Sequence, residues 1–218
     1  MGITPDMWVV SLVFMLIFAL PSFVSFIRAD YKKGVITLLV LSALSLMIES
    51  FAIHMGYPYG AFYYENVLGP KIFGLAPLAV PLGWIPLVIA AFAIIHKLHI
   101  RFSIISTALL LVLIDLVIDP GAFALGIWIW KHPGNFYGVP FQNFLGWFFS
   151  GMVGAWTIKY FYGESISKAN YVLILLSLMG IISYWSGIAF FEKLWIPMMI
   201  GILLLGFLLY YIRAQNRQ

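Results

Sequence analysis

Three carboxylic side chains lie within or at the edge of long apolar segments, at Glu49, Asp115 and Asp119. An ionisable group in the hydrocarbon of a membrane costs about 2.5–3.5 kcal/mol on insertion scales, so each is a functional candidate by default. Asp115 and Asp119 share one helix face, about 6 Å apart along the axis. Glu49 lies about 9 Å below the end of its segment. Pro120 disfavours the helical conformation of Asp119 and predicts that the helix ends there.

Buried carboxylic acids of this kind can perform proton chemistry. Removal from water favours the neutral form of a carboxyl group, and two close carboxyl groups can share one proton. Such a group can act as a general acid on a weak base, including an alkene. Protonation of a trisubstituted isoprene double bond gives a tertiary cation, which water converts to a tertiary alcohol. This chemistry requires no redox cofactor, and the sequence contains no nucleotide-binding motif.

Structural roles for two of the acids remain open. Asp119 could bind a backbone amide or Lys131 at the headgroup level, and Glu49 could be a partner of His54 or of a tyrosine hydroxyl. A structural role is less well supported for Asp115, since its immediate neighbours in the sequence are apolar and offer no polar partner. A metal site needs three or four close ligands, and no histidine pair at helical spacing joins these acids. We therefore expect no metal.

The elements that must position these acids are membrane helices. Of 218 residues, 63% are hydrophobic and 9% are charged, and the mean hydropathy is +1.03. Soluble domains are about 45–50% apolar and 25% charged, so composition excludes an ordinary soluble protein. Cysteine is absent, which removes disulfides, thiolate metal sites and a cysteine nucleophile.

Seven apolar segments predict an all-α, polytopic protein with seven transmembrane helices. It would form a single integral membrane domain over residues 1–218, located in the cell membrane. The predicted segments are Trp8–Ile27, Val35–Met55, Pro77–His96, Phe102–Ile118, Phe141–Phe161, Tyr171–Phe190 and Trp195–Ile212.

The distribution of lysine and arginine predicts the orientation. Of the twelve, Lys71, Lys131 and Lys193 fall in one set of loops, and the other nine, including Arg217, fall in the opposite set. Positive charge is retained in the cytoplasm, so the N-terminus is expected outside and the C-terminus inside. We therefore interpret the net charge of +4 as a signal for orientation in the membrane, and we expect no nucleic-acid partner.

Two long outer loops, His54–Pro70 and Asp119–Pro140, are rich in glycine, proline and aromatic residues and poor in charge. Such loops are expected to fold back toward the membrane and cap a cavity beside the acids. Aromatic faces stabilise cations, so the cavity suits a long conjugated or carbocation-forming molecule. Asn143 and Gln142 could orient water or a product hydroxyl. The candidate substrate-binding residues are Tyr59, Tyr63, Tyr64, Trp84, Trp128, Trp130, Tyr137, Asn143 and Trp147.

These motifs resemble a known family, the membrane carotenoid hydratases of the bisanhydrobacterioruberin hydratase and γ-carotene hydratase type. The resemblance covers roughly residues 45–150. It rests on Glu49, Gly56-Tyr57-Pro58-Tyr59-Gly60, Tyr63-Tyr64, Pro81, Trp84, Asp115, Asp119-Pro120, Trp128-x-Trp130, Pro133-Gly134, Phe136-Tyr137-Gly138-Val139-Pro140, Asn143 and Gly146-Trp147.

The resemblance implies addition of water to the terminal double bond of an acyclic carotenoid. The partners would be the lipid bilayer, the carotenoid and water, and membrane enzymes of the same pathway remain open as partners. From the residues, we expect Asp115 and Asp119 to be the proton-donating pair and Glu49 to position or deprotonate the attacking water. No cofactor is expected.

Two alternatives remain. A carotenoid end-group cyclase would protonate the same alkene but exclude water, and Asn143 with Gln142 slightly favours hydration. A small transporter or proton relay would also use intramembrane acids, although transporters place their sites near the midplane. A retinal protein is excluded, because Trp195–Ile212 contains no lysine.

Overall fold

The structure, a computed structural model, describes residues 7–215, with side chains described up to Arg213. Arg217, which entered the charge count, and both ends of the predicted domain 1–218 lie outside the described residues. The described residues form seven α-helices: α1 (Trp8–Ala29), α2 (Tyr31–Met55), α3 (Val80–Lys97), α4 (Ser103–Ala124), α5 (Phe141–Thr157), α6 (Tyr171–Phe191) and α7 (Trp195–Gln215).

Six of the seven helices described between residues 7 and 215 are long and apolar enough to cross a membrane. The remaining helix, α5, is shorter, but it continues directly into a π-helical turn, Ile158–Tyr162. The all-α architecture, with one helix at each predicted segment, is thus confirmed. Long apolar runs locate helices well, because each run must hydrogen-bond its own backbone.

The predicted end of α4 at Asp119 is wrong. The helix continues through Pro120 to Ala124, and residues 119–122 are buried in the bundle. Membrane helices tolerate an internal proline because neighbouring helices and side chains can satisfy the freed carbonyl group. Asp119 is consequently an intrahelical residue about 8 Å below the end of α4, a depth similar to that of Glu49 in α2.

Local capping fixes both ends of α2, the helix that carries Glu49. The side chain of Asp30 accepts a hydrogen bond from the backbone N–H of Lys33 at 3.1 Å. Gly56 ends the helix with φ of 75°, a left-handed conformation that glycine adopts without a steric penalty. Its N–H donates to the carbonyl oxygen of Ala52 at 2.8 Å.

Helix α3 occupies the centre of the bundle. Every residue from Trp84 to Ile95 is buried, which matches a segment that is apolar on all sides. The core around it contains Leu41 of α2, Leu111 of α4 and Ile182 of α6. This central helix gives the surrounding helices a common packing surface.

Short strands join the two long loops at one end of the bundle. Strand β1 (Phe62–Tyr64) pairs antiparallel with β4 (Trp128–Trp130), with Phe62 opposite Trp130 and Tyr64 opposite Trp128. A second small hairpin consists of β2 (Lys71–Ile72) and β3 (Ala76–Pro77). We call the β1–β4 ribbon the roof, because it covers the acid-bearing end of the bundle.

Candidate functional site

A cavity of about 390 Å³ lies beneath the roof, enclosed by residues of α1 to α6. Its walls are mainly aromatic and aliphatic, and among the described residues Glu49 and Asp119 contribute carboxyl groups to it. The predicted cavity beneath the two aromatic loops is therefore present. Its size lies within the range of about 300–1,000 Å³ that is usual for small-molecule sites.

Asn143 connects the two aspartates of α4. Its Nδ2 donates to Oδ2 of Asp115 at 2.9 Å and to Oδ2 of Asp119, and all three side chains are buried. Asn143 lies near the start of α5, which packs along α4. Asp119 and Asn143 line the cavity, whereas Asp115 lies behind them, away from the cavity wall. The predicted pair thus shares one partner, but only Asp119 can reach a bound molecule directly.

Glu49 contributes a second carboxyl group to the cavity wall, from a different helix, α2. Its Oε1 accepts a hydrogen bond of 2.5 Å from the hydroxyl of Tyr64 in the roof. Burial, followed by the negative charge of Glu49, raises the pKa of the Tyr64 phenol well above its usual value, so the phenol remains a donor. Lys71 donates to the backbone oxygen of Tyr64 at 2.5 Å. A tyrosine hydroxyl is one of the structural partners that the sequence leaves open for Glu49, and the structure shows this contact with Tyr64.

Most of the predicted aromatic residues line the cavity. They come from the roof, the loop that precedes strand β1, α3 and α5, and comprise Tyr59, Tyr64, Trp84, Trp128, Trp130 and Trp147. The indole Nε1 of Trp130 donates to the backbone oxygen of Tyr59 at 3.0 Å, which links the two long loops. Trp128 packs edge-on against Tyr64, with ring centroids 5.7 Å apart.

Two predicted residues, Tyr63 and Tyr137, do not line the cavity. Successive side chains of a strand point to opposite faces, so Phe62 and Tyr64 face the cavity while Tyr63 is exposed. Tyr137 lies in a tight turn, and its hydroxyl accepts a hydrogen bond from the backbone N–H of Ile196. Sequence alone did not reveal the strand that separates Tyr63 from Tyr64.

Gln142 also differs from the prediction. It does not line the cavity, and its Nε2 donates to the backbone oxygen of Gly56 at 3.0 Å. The side-chain amides of these two neighbouring residues of α5 therefore have different binding partners. Gln142 binds the end of α2, and Asn143 binds the carboxyl groups.

The structure places the other proposed partners of the acids away from the cavity. Lys131 and His54 are both exposed and make no contact with Asp119 or Glu49 in the hydrogen-bond or ion-pair network of the described residues. Among residues 7–215, no three histidine, aspartate or glutamate side chains form a group that could hold a metal ion.

Sequence reasoning missed the contribution of α1 and α6 to the cavity. The cavity lining includes aromatic residues of both helices: Phe14 and Phe18 of α1, and Tyr184 and Trp185 of α6. Nothing in their spacing distinguishes them from lipid-facing aromatic residues, because both kinds occur in uniformly apolar segments. Their role follows only from how the helices pack.

Comparisons with known proteins agree with this site. The chain is 33% identical over 184 residues to bisanhydrobacterioruberin hydratase from Haloarcula japonica, an alignment that covers 80% of this chain. The chain spans 62% of the length of that relative. No solved structure matches the chain. The family model described as "Carotenoid biosynthesis protein" matches residues 7–208. Since that match extends over nearly all of the chain, the protein belongs to the carotenoid biosynthesis protein family.

Proposed function

We propose that this protein is a carotenoid hydratase, which adds water to the terminal double bond of an acyclic carotenoid without a cofactor. The observation that carries the proposal is the presence of two carboxyl groups, Glu49 of α2 and Asp119 of α4, in the wall of one aromatic cavity. The family and the name of the Haloarcula relative support the carotenoid substrate and the hydration.

In this proposal the proton comes from the aspartate pair. Two ionised carboxylates that accept from one amide nitrogen would repel each other strongly in a dry site, so the pair retains a proton. Asp119, the member at the cavity wall, transfers that proton to the less substituted carbon of the terminal alkene. The π bond breaks and the other carbon becomes a tertiary cation. Asp115, which lies behind Asp119, shares the charge that remains.

Glu49 acts in the second step of the reaction, the addition of water to the cation. Tyr64 occupies Oε1, and Oε2 accepts no hydrogen bond from any other described side chain, which leaves it for water. The water oxygen bonds to the cation, and its proton passes to Glu49, giving a neutral tertiary alcohol. Glu49 then releases its proton to water and the aspartate pair takes one up, which restores both groups. The surrounding tryptophan and tyrosine rings stabilise the cation while it exists.

We also propose the sidedness that the charge distribution predicts. The roof would lie on the outer face of the cell membrane, with the C-terminus in the cytoplasm, and the whole chain would form one integral membrane domain. Lys131 directly follows strand β4 of the roof, and Lys71 of β2 donates to the backbone of Tyr64 in the roof. Both belong to the smaller set of positive residues assigned to the outer loops.

Pigment analysis after co-expression tests the function. In cells that accumulate an acyclic carotenoid, the protein should produce a species heavier by one water. D119N and E49Q should abolish this product, and the matched variant E65Q, at an exposed acid next to the roof, should not. An isomer of unchanged mass would instead support the cyclase. An unchanged pigment, with the protein present in the membrane, would refute both reactions and favour the proton relay.

A further inference from the structure

The cavity has one side that is exposed at the surface of the bundle. Among the residues that line it, the exposed ones are Met7, Val10 and Phe14 of the α1 segment and Tyr184 of α6. The lining residues of α2, α3, α4 and α5 and of the roof are buried or partly buried. The cavity therefore reaches the bundle surface along the seam between α1 and α6.

This seam is apolar and lined by aromatic rings. Ring centroids of Phe14 and Tyr184 lie 5.9 Å apart, and those of Phe18 and Tyr184 lie 6.2 Å apart. Val10 and Phe14 are one helical turn apart on the stripe of α1 that faces the cavity. Since α1 is long and apolar enough to span a membrane, the surface beside this seam is lipid-facing. The opening would thus lead to hydrocarbon rather than to water.

The dimensions of the cavity add a second argument. A volume of about 390 Å³ is near the lower limit for enclosing a drug-sized ligand, so a long isoprenoid chain cannot be enclosed completely. The acids line one part of the cavity, and the seam lies on its α1–α6 side. We propose that the seam between α1 and α6 is a lateral portal, through which one end of a linear hydrocarbon enters from the bilayer while the rest remains in lipid. This inference rests on the proposed function for the identity of the hydrocarbon.

Adjacent valines of α1 provide a matched test. Val10 lines the cavity, whereas Val9, about 100° away around the helix, does not line it, and they are 50% and 49% exposed. In pigment-accumulating cells, V10W should lower both the carotenoid that co-purifies with the protein and its conversion by about tenfold or more, because the indole fills the portal. V9W should match the wild type within about twofold, since an exposed substitution away from the seam perturbs little.

A second measurement does not depend on turnover or on the fold of V10W. A photoreactive phenylalanine analogue at Val10 should crosslink to the carotenoid, and the same analogue at Val9 should not. Loading and conversion by V10W equal to those of V9W would overturn the portal while the hydratase proposal stands. Crosslinking at Val10 without any conversion by the wild type would support the portal and refute the hydratase. Neither crosslinking nor conversion would overturn both.

Discussion

Replacement of Asn143 by leucine tests the central contact of the site. Leucine has the same branching and the same number of heavy side-chain atoms as asparagine, so N143L removes the amide without leaving a cavity. The amide donates to both Asp115 and Asp119, and a hydrogen bond to a charged group is worth about 1.5–3 kcal/mol. One of the two contacts can be replaced by a carboxyl–carboxyl hydrogen bond. The expected net loss is therefore about 1.5–3 kcal/mol, or about 10- to 150-fold in turnover.

The adjacent residue supplies the control for this experiment. Q142L also removes one amide from α5, but that amide binds the backbone of Gly56 and lies outside the cavity. Its loss should lower thermal stability by about 0.5–1.5 kcal/mol and leave turnover within about threefold. Pigment conversion per mole of folded protein measures the first effect, and thermal unfolding in detergent measures the second. Equal turnover of the two variants would refute the role assigned to Asn143.

Three further variants test other contacts. Y64F should lower turnover about tenfold or more at every pH between about 5 and 9, because Glu49 loses a donor whose raised pKa keeps it protonated throughout this range. G146A should cost about 1–3 kcal/mol in unfolding experiments, because the added Cβ would overlap the ring of Tyr59. D30N should unfold at a lower temperature than the wild type near pH 7. That difference should disappear as the pH falls below about 4, because hydrogen bonds from a backbone N–H and a serine hydroxyl lower the pKa of Asp30, so its contribution is lost on protonation.

Each of these variants has a comparison that can contradict it. Y63F changes the exposed neighbour of Tyr64 on the same strand, and a loss equal to that of Y64F would exclude a specific contact with Glu49. G187A adds a Cβ with nothing within 4 Å, so it should be neutral or stabilise by up to about 1 kcal/mol. A loss in G187A as large as that in G146A would contradict the packing argument. A pH-independent difference for D30N would exclude its carboxylate as the cause.

The helices and the depth of Glu49 could be predicted because both depend on distance along one chain segment. Hydropathy locates α1 to α7, and the rise per residue places Glu49 about 9 Å below the end of α2. The predicted depth of Asp119 is wrong, because α4 continues to Ala124. The helix rotates by about 40° between residues four apart, and this rotation separates Asp119 at the cavity wall from Asp115 behind it. Periodicity identifies the shared face but not which residue reaches the cavity, since that depends on the neighbouring helix.

The roof could not be predicted in detail because its pairing is non-local. Three residues beginning at Phe62 pair with three beginning at Trp128, and neither run is long enough to show a strand pattern. The exposure of Tyr63 follows directly from that pairing. Similarly, the local effect of Pro120 predicted a helix end, whereas packing of residues 119–122 in the bundle keeps the helix intact. For the roof strands no local pattern existed, and at Pro120 tertiary packing overrode a correct local preference.

The roof also has a consequence for the order in which the chain is built. Its two strands belong to segments about 65 residues apart, and the whole of α3 and α4 lies between them. When α1 and α2 emerge from the ribosome, Tyr64 already follows Glu49 closely in sequence, but Trp128 and Asn143 have not yet been synthesised. Contacts of such large sequence separation form late, because loop closure must precede them. The aspartate pair therefore gains its shared partner, Asn143, only after α5 has been synthesised, and the cavity wall is complete only after α6 follows, so a nascent chain would acquire its chemistry late in synthesis.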